Sequence, residues 1–113
     1  MILFCFLGLI GCHSSRSFQF GAYTQAEHFY EKGNYPKALE KYQEYVRDNP
    51  EGNMTVISYY YMAKSYEGLG NPDEARKFYK KIVKEHPDMV WANFSKNRLE
   101  ELNAKASAKP PAA

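Results

Sequence analysis

Gly33-Asn34-Tyr35-Pro36-Lys37-Ala38-Leu39-Glu40-Lys41-Tyr42 decides the fold, because Gly70-Asn71-Pro72-Asp73-Glu74-Ala75-Arg76-Lys77-Phe78-Tyr79 answers it 37 residues later. The echo extends outward at the same offset: Ala26 and Phe29 are matched by Ala63 and Tyr66, and Pro50 by Pro87. A fixed internal period of this size marks a chain built from supersecondary units, each too thin to bury its own apolar face. Local chemistry says what the unit is. Tyr23, Ala26, Phe29 and Tyr30 fall at helical spacing. Gly33-Asn34 ends that helix, since glycine accepts the left-handed conformation that closes one. Pro36 suits the first turn of the next helix, where its missing N–H costs little. That helix carries Ala38, Leu39, Tyr42, Tyr45 and Val46 and stops before Pro50. The second unit repeats the plan with Val56, Tyr59, Tyr60, Met62, Ala63 and Tyr66, then a Gly68-Leu69-Gly70-Asn71 turn. A helix opened by Pro72-Asp73-Glu74 follows, with Ala75, Phe78, Tyr79, Ile82 and Val83 facing inward.

These residues resemble the tetratricopeptide repeat (TPR). Ala26, Phe29, Gly33, Tyr35, Ala38, Tyr42 and Pro50, then Ala63, Tyr66, Gly70, Ala75, Tyr79 and Pro87, follow its pattern, with Pro72 in place of the turn tyrosine. The resemblance implies an all-α chain of two helical hairpins, about 20–53 and 54–87, an α-solenoid fragment. The extra residues of the 37-residue spacing are expected at Glu51-Gly52-Asn53-Met54. Two hairpins leave an apolar face open, and 88–104 supplies a closing helix with a stripe of Val90, Trp91, Phe94, Arg98, Leu99 and Leu102. Trp91 is read there as an anchor of the cap. From 105 to 113 the low-complexity Ala/Lys/Pro sequence is expected to be disordered.

The N-terminus reads differently. Ile2 to Ile10 is apolar almost without interruption. Nine residues make a helix of roughly 14 Å, far short of the ~30 Å hydrocarbon core. The length suits a signal-peptide hydrophobic region, 1–11. Leu9-Ile10-Gly11-Cys12 resembles the bacterial lipobox. That resemblance implies cleavage before Cys12, acylation of its thiol (commonly with palmitate), and a polar linker over 12–19. Two or three acyl chains anchor a soluble domain stably, whereas one is marginal. One departure is that no Lys or Arg separates Met1 from the apolar run, so either the true start lies upstream or the signal lacks its positive region. His13, where sorting of this type uses Asp for inner-membrane retention, favours the outer membrane facing the periplasm. With its stretched inter-repeat loop, the chain resembles outer-membrane assembly and Tol–Pal-associated periplasmic TPR proteins.

Composition and motif content exclude much chemistry. With 15 Lys+Arg against 13 Asp+Glu there is no polyanion-seeking surface, so nucleic acid is not an expected partner. His13, His28 and His86 lie far apart, and the only cysteines are Cys5 and Cys12. No catalytic set, metal site or cofactor site is expected, and the glycines have no phosphate-loop context. No small-molecule substrate is implied. The Lys77, Lys80, Lys81 and Lys84 stripe is read as a solvated face. The resemblance points instead to a protein or peptide partner, held in a groove lined by the first helix of each hairpin. Its residues are Phe20, Tyr23, Glu27, Tyr30 and Glu31, then Ile57, Tyr60, Lys64 and Glu67, with Tyr23, Glu27, Tyr30, Ile57, Tyr60, Lys64 and Glu67 as the principal contacts. The expected role is a lipid-anchored adaptor or scaffold; the competing role is a structural subunit that self-associates through its repeat faces.

Overall fold

The computed structural model describes residues 21–108. The segments expected as signal peptide and linker, with Cys12 and Phe20, lie outside the described residues, as does 109–113. The described residues form five helices: α1 (Gly21–Glu31), α2 (Tyr35–Asp48), α3 (Thr55–Gly68), α4 (Pro72–Glu85) and α5 (Val90–Ala108). No strand occurs among the described residues. Helices α1 and α2 pack as one hairpin and α3 and α4 as the next; α3 also packs on α2, and α5 on α4 and α3.

The sequence repeat is reproduced in backbone hydrogen bonds. Gly33 and Gly70 take φ of 72° and 74°. At each, the glycine N–H donates to the carbonyl three residues back (Tyr30, 2.9 Å; Glu67, 3.0 Å), and the following Asn N–H donates five residues back (Phe29, 2.8 Å; Tyr66, 2.9 Å). This paired pattern satisfies the last carbonyls of a helix. The same asparagines then start the next helix: Asn34 Oδ1 accepts from the Lys37 N–H at 3.4 Å and Asn71 Oδ1 from the Glu74 N–H at 3.3 Å. One Gly-Asn pair thus closes one helix and caps the next, which fixes each hairpin as a tight turn.

Ala26, Ala38, Ala63, Ala75 and Ala92 are fully buried, as are Ser58, Ser65 and Ser95. Small side chains at the crossings let the helix backbones come close. The Ser58 and Ser65 hydroxyls donate within α3 to the Met54 and Tyr61 carbonyls at 2.6 and 2.7 Å, so two of these polar groups are buried with partners. Tyrosines supply the bulk: Tyr42, Tyr45 and Tyr79 are buried, with Leu39, Met62, Ile82 and Leu102. Lying between α2 on one side and α4 and α5 on the other, α3 buries residues around most of its circumference. The inter-repeat loop is pinned by Tyr45, whose hydroxyl accepts from the Met54 N–H at 3.3 Å, and by the Thr55 hydroxyl donating to the Asn49 carbonyl at 2.6 Å.

The closing helix departs from expectation in two respects. Its inward stripe is Ala92, Ser95, Leu99 and Leu102 with Trp91 half-buried, while Val90 and Phe94 are exposed. Small residues are what α3 and α4 admit, so the helix turns its bulkier residues aside. It also continues four residues past the expected boundary, to Ala108. Lys105, Ala106, Ser107 and Ala108 are exposed, and the good intrinsic helix propensity of Ala and Lys carries the helix on without packing.

One close approach explains both a glycine and a departure from the repeat. Gly68 ends α3 beneath the Tyr35 ring, and a Cβ placed there would collide with that ring. The second unit has Pro72 where the first has Tyr35, and 37 residues after Gly68 stands Lys105. The aromatic and the glycine that accommodates it are absent together.

Gly68→Ala supplies a signed test. Helix propensity alone favours alanine by roughly 0.5–1 kcal/mol. Overpacking against Tyr35 reverses that, giving a net loss of about 1–2 kcal/mol in urea unfolding. In a Tyr35→Ala background the same change becomes stabilising.

Candidate functional site

The groove face is built by α1, α3 and α5. Tyr30 of α1 meets Tyr61 of α3 edge-to-face, centroids 5.0 Å apart. Tyr61 lies 6.3 Å from Trp91 of α5, and its neighbour Tyr60 lies 5.1 Å from Trp91 and 6.3 Å from Phe94. Trp91 and Phe94 are 5.6 Å apart. An aromatic row therefore crosses all three helices and ends at Phe94, 44% exposed. Such pairs add modest energy beyond burial and hold their rings in fixed relative orientation.

The expected contact residues separate into three groups. Glu27 and Tyr30 line a cleft of about 130 Å³ together with Glu31, Tyr42 and Tyr61. Tyr60 and Lys64 are half-buried on α3, Tyr60 within the row; Ile57 is half-buried and packs against the first hairpin's core. Tyr23 and Glu67 are corrections. Tyr23 is 4% exposed and packs edge-on against Tyr42 and Tyr45, at 5.9 and 5.7 Å, because its position on α1 turns into the hairpin. Glu67 is consumed internally: Arg98 of α5 bonds both its carboxylate oxygens, one of them from Nε at 3.3 Å, and the Tyr79 hydroxyl donates to it. Arg98 is held on its other side by Glu101. This part-buried network ties α3, α4 and α5 together.

Tyr61 and Phe94 on the groove face, and Tyr42 at the cleft lining, are features that sequence reasoning missed. The Tyr60-Tyr61 pair was the available signal, since consecutive helix residues diverge by about 100° and reach to opposite neighbours. Here Tyr60 faces Tyr79 and Trp91, while Tyr61 reaches back to Tyr30 and stacks 6.1 Å from Tyr42.

Burial governs the titration of the site. It would by itself raise the Glu67 pKa, but hydrogen bonds from Arg98 and Tyr79 and the Arg98 charge outweigh it and hold the group below its ordinary 4.5. Tyr23, Tyr42 and Tyr79 are all pushed above the ordinary 10.0, chiefly by burial. Glu27 adds to the effect at Tyr23 and Tyr42, and Glu67 at Tyr79.

Among the described residues no helix is long and apolar enough to cross a membrane. No group of three or more His, Cys, Asp or Glu side chains there could hold a metal ion.

Glu67→Gln removes the charge that Arg98 and Tyr79 were arranged around and costs about 2 kcal/mol at neutral pH. A carboxyl with a depressed folded pKa contributes above its unfolded value of 4.5, and that contribution is lost as the pH falls through the folded value. The urea midpoints of parent and variant therefore converge on acidification. At the other extreme, phenols with raised folded pKa values contribute fully below pH 10.0 and progressively less above it. Tyrosinate absorbance is expected to rise together with loss of helical circular dichroism, as one cooperative alkaline transition.

Among known protein families, the model described as "Tetratricopeptide repeat" matches residues 58–88, from within α3 to just beyond α4. No curated protein matches the chain. TPR units are generally a non-enzymatic fold for protein–protein interaction. The paired helices, the Gly-Asn turns and the buried alanines give the described residues the architecture of an all-α solenoid fragment of TPR type, and the match over 58–88 supports a protein-interaction module.

Proposed function

We propose that the chain is a lipid-anchored adaptor of the bacterial cell envelope that holds a protein partner in its α1–α3–α5 groove. The observation that carries the binding half is the aromatic row from Tyr30 through Tyr61, Tyr60 and Trp91 to the exposed Phe94. Aromatic rings give a large contact area at low entropic cost, and a row fixed by its own packing is pre-organised for an extended or helical segment with apolar side chains. The anchor half rests on Leu9-Ile10-Gly11-Cys12 and its lipobox resemblance, with acylation at Cys12 and a site at the outer membrane facing the periplasm. The match of 58–88 to a TPR supports protein binding, and a signal segment of this kind supplies the place where binding would be useful. No enzymatic step is part of this reading.

A second reading, self-association, is favoured by Met89, Val90 and Phe94, exposed apolar residues near the α4–α5 turn at one end of the stack. Sedimentation of the detergent-solubilised full chain separates the two. A monomer supports the adaptor, and concentration-dependent oligomers that Val90→Asp and Phe94→Asp abolish support the subunit.

The adaptor is tested by photo-cross-linking from Phe94 and Tyr61 in the full chain in its native membrane, with Lys80 on the opposite face as control. One partner protein is expected from the groove positions and none from Lys80. Tyr61→Ala with Phe94→Ala lowers its recovery at least tenfold without loss of helix. Equal capture from all three positions, or recovery indifferent to the double substitution, contradicts the groove. Mass spectrometry of the mature N-terminus tests the anchor: an acylated N-terminal Cys12 is expected, and an intact unmodified N-terminal segment in membrane-purified protein contradicts it.

A further inference from the structure

We infer that the cleft lined by Glu27, Tyr30, Glu31, Tyr42 and Tyr61 is a subsite for one basic side chain of the bound partner, arginine in preference to lysine. The inference rests on the groove reading above and adds the chemistry of the residue bound there. Three features converge. Two rings, Tyr30 and Tyr61, pack edge-to-face with centroids 5.0 Å apart and together form one aromatic wall of the cleft. Two carboxyl groups, Glu27 half-buried and Glu31 exposed, line the same cleft, and neither forms a salt bridge among the described residues. The third feature is the Tyr42 hydroxyl. Tyr42 also lines the cleft, is 0% exposed, and its oxygen has no hydrogen-bond partner among the described residues. A buried hydroxyl is normally paired, and this one, enclosed at the lining of a cleft that also carries two carboxyl groups, is left without a partner.

A cationic donor satisfies all three features at once. Its charge is offset by Glu27 and Glu31, its face lies against a tyrosine ring, and one N–H reaches the Tyr42 oxygen. Arginine fits better than lysine, because a planar guanidinium stacks on a ring while offering several N–H groups in fixed directions. Burial keeps the Tyr42 phenol protonated, so its oxygen is present as a neutral acceptor. The sign of the site belongs to the first hairpin. Lys64 stands 37 residues after Glu27, so the groove changes charge from one unit to the next. A partner segment would thus place a basic residue over α1 and α3 and apolar residues toward Trp91 and Phe94.

The test uses the full chain in detergent micelles, titrated by NMR with three blocked pentapeptides of alanine whose central residue is arginine, citrulline or glutamate. The arginine peptide is expected to shift Glu27, Tyr30, Glu31 and Tyr61 resonances. Citrulline, the uncharged isostere, should bind at least tenfold more weakly, and the glutamate peptide should leave the cleft unshifted. Glu27→Gln with Glu31→Gln should weaken the arginine peptide at least tenfold. Tyr42→Phe should weaken it severalfold while leaving the melting temperature equal or higher, since that hydroxyl has no internal bond to lose. Equal binding of arginine and citrulline, binding indifferent to the double carboxamide, or no cleft shifts at millimolar peptide would each overturn the subsite. If the row still cross-links its partner in that event, the groove stands and only the subsite falls. Failure of both removes the groove as well.

Discussion

Close helix approach through small side chains is the constraint on which the rest of this structure depends. Ala26, Ala38, Ala63, Ala75 and Ala92 have no exposed surface, and Ser58, Ser65 and Ser95 are equally buried. With so little volume at the crossings, the apolar content must come from rings that reach across the gaps between helices, and tyrosine fills that role repeatedly. A tyrosine buries its ring while sending its hydroxyl toward an edge. Where the edge offers a partner the hydroxyl is used, as Tyr79 uses Glu67 and Tyr45 the Met54 N–H. Where it does not, the buried hydroxyl stays without a hydrogen-bond partner, as at Tyr42.

What could be read from the sequence was what is local and repeated. Helix ends, the two Gly-Asn turns and the inward alanines each have a chemical reason within a few residues, and the second unit checks the first. What escaped had no such check. Glu67 and Arg98 are 31 residues apart and meet only because α5 folds back on α3; no spacing rule announces an ion pair between helices. The rotation of α5 is not legible from side-chain size, since the crossing accepts Ala92 and Ser95 and leaves Val90 and Phe94 outside. Tyr23 was placed on the groove by analogy of position, but its ring turns into the α1–α2 contact.

These corrections sharpen the site. With Tyr23 and Glu67 withdrawn into the scaffold, the proposed binding surface keeps Glu27, Tyr30, Ile57, Tyr60 and Lys64, joined by Tyr61, Trp91 and Phe94. The Glu67–Arg98–Tyr79 network supports that surface indirectly, since it fixes α5 and with it the orientation of Trp91 and Phe94. A surface held by interhelical packing loses little entropy on binding, which favours affinity from a modest contact area.

The central claim is that three helices from successive units present one continuous aromatic face. Proton–proton Overhauser contacts between aromatic rings in the full chain in solution test it most directly. The account predicts contacts from Tyr30 to Tyr61, from Tyr61 to Trp91 and from Tyr60 to both Trp91 and Phe94. A Trp91 ring in contact with none of these tyrosines, in a chain whose helices are otherwise intact, would contradict it.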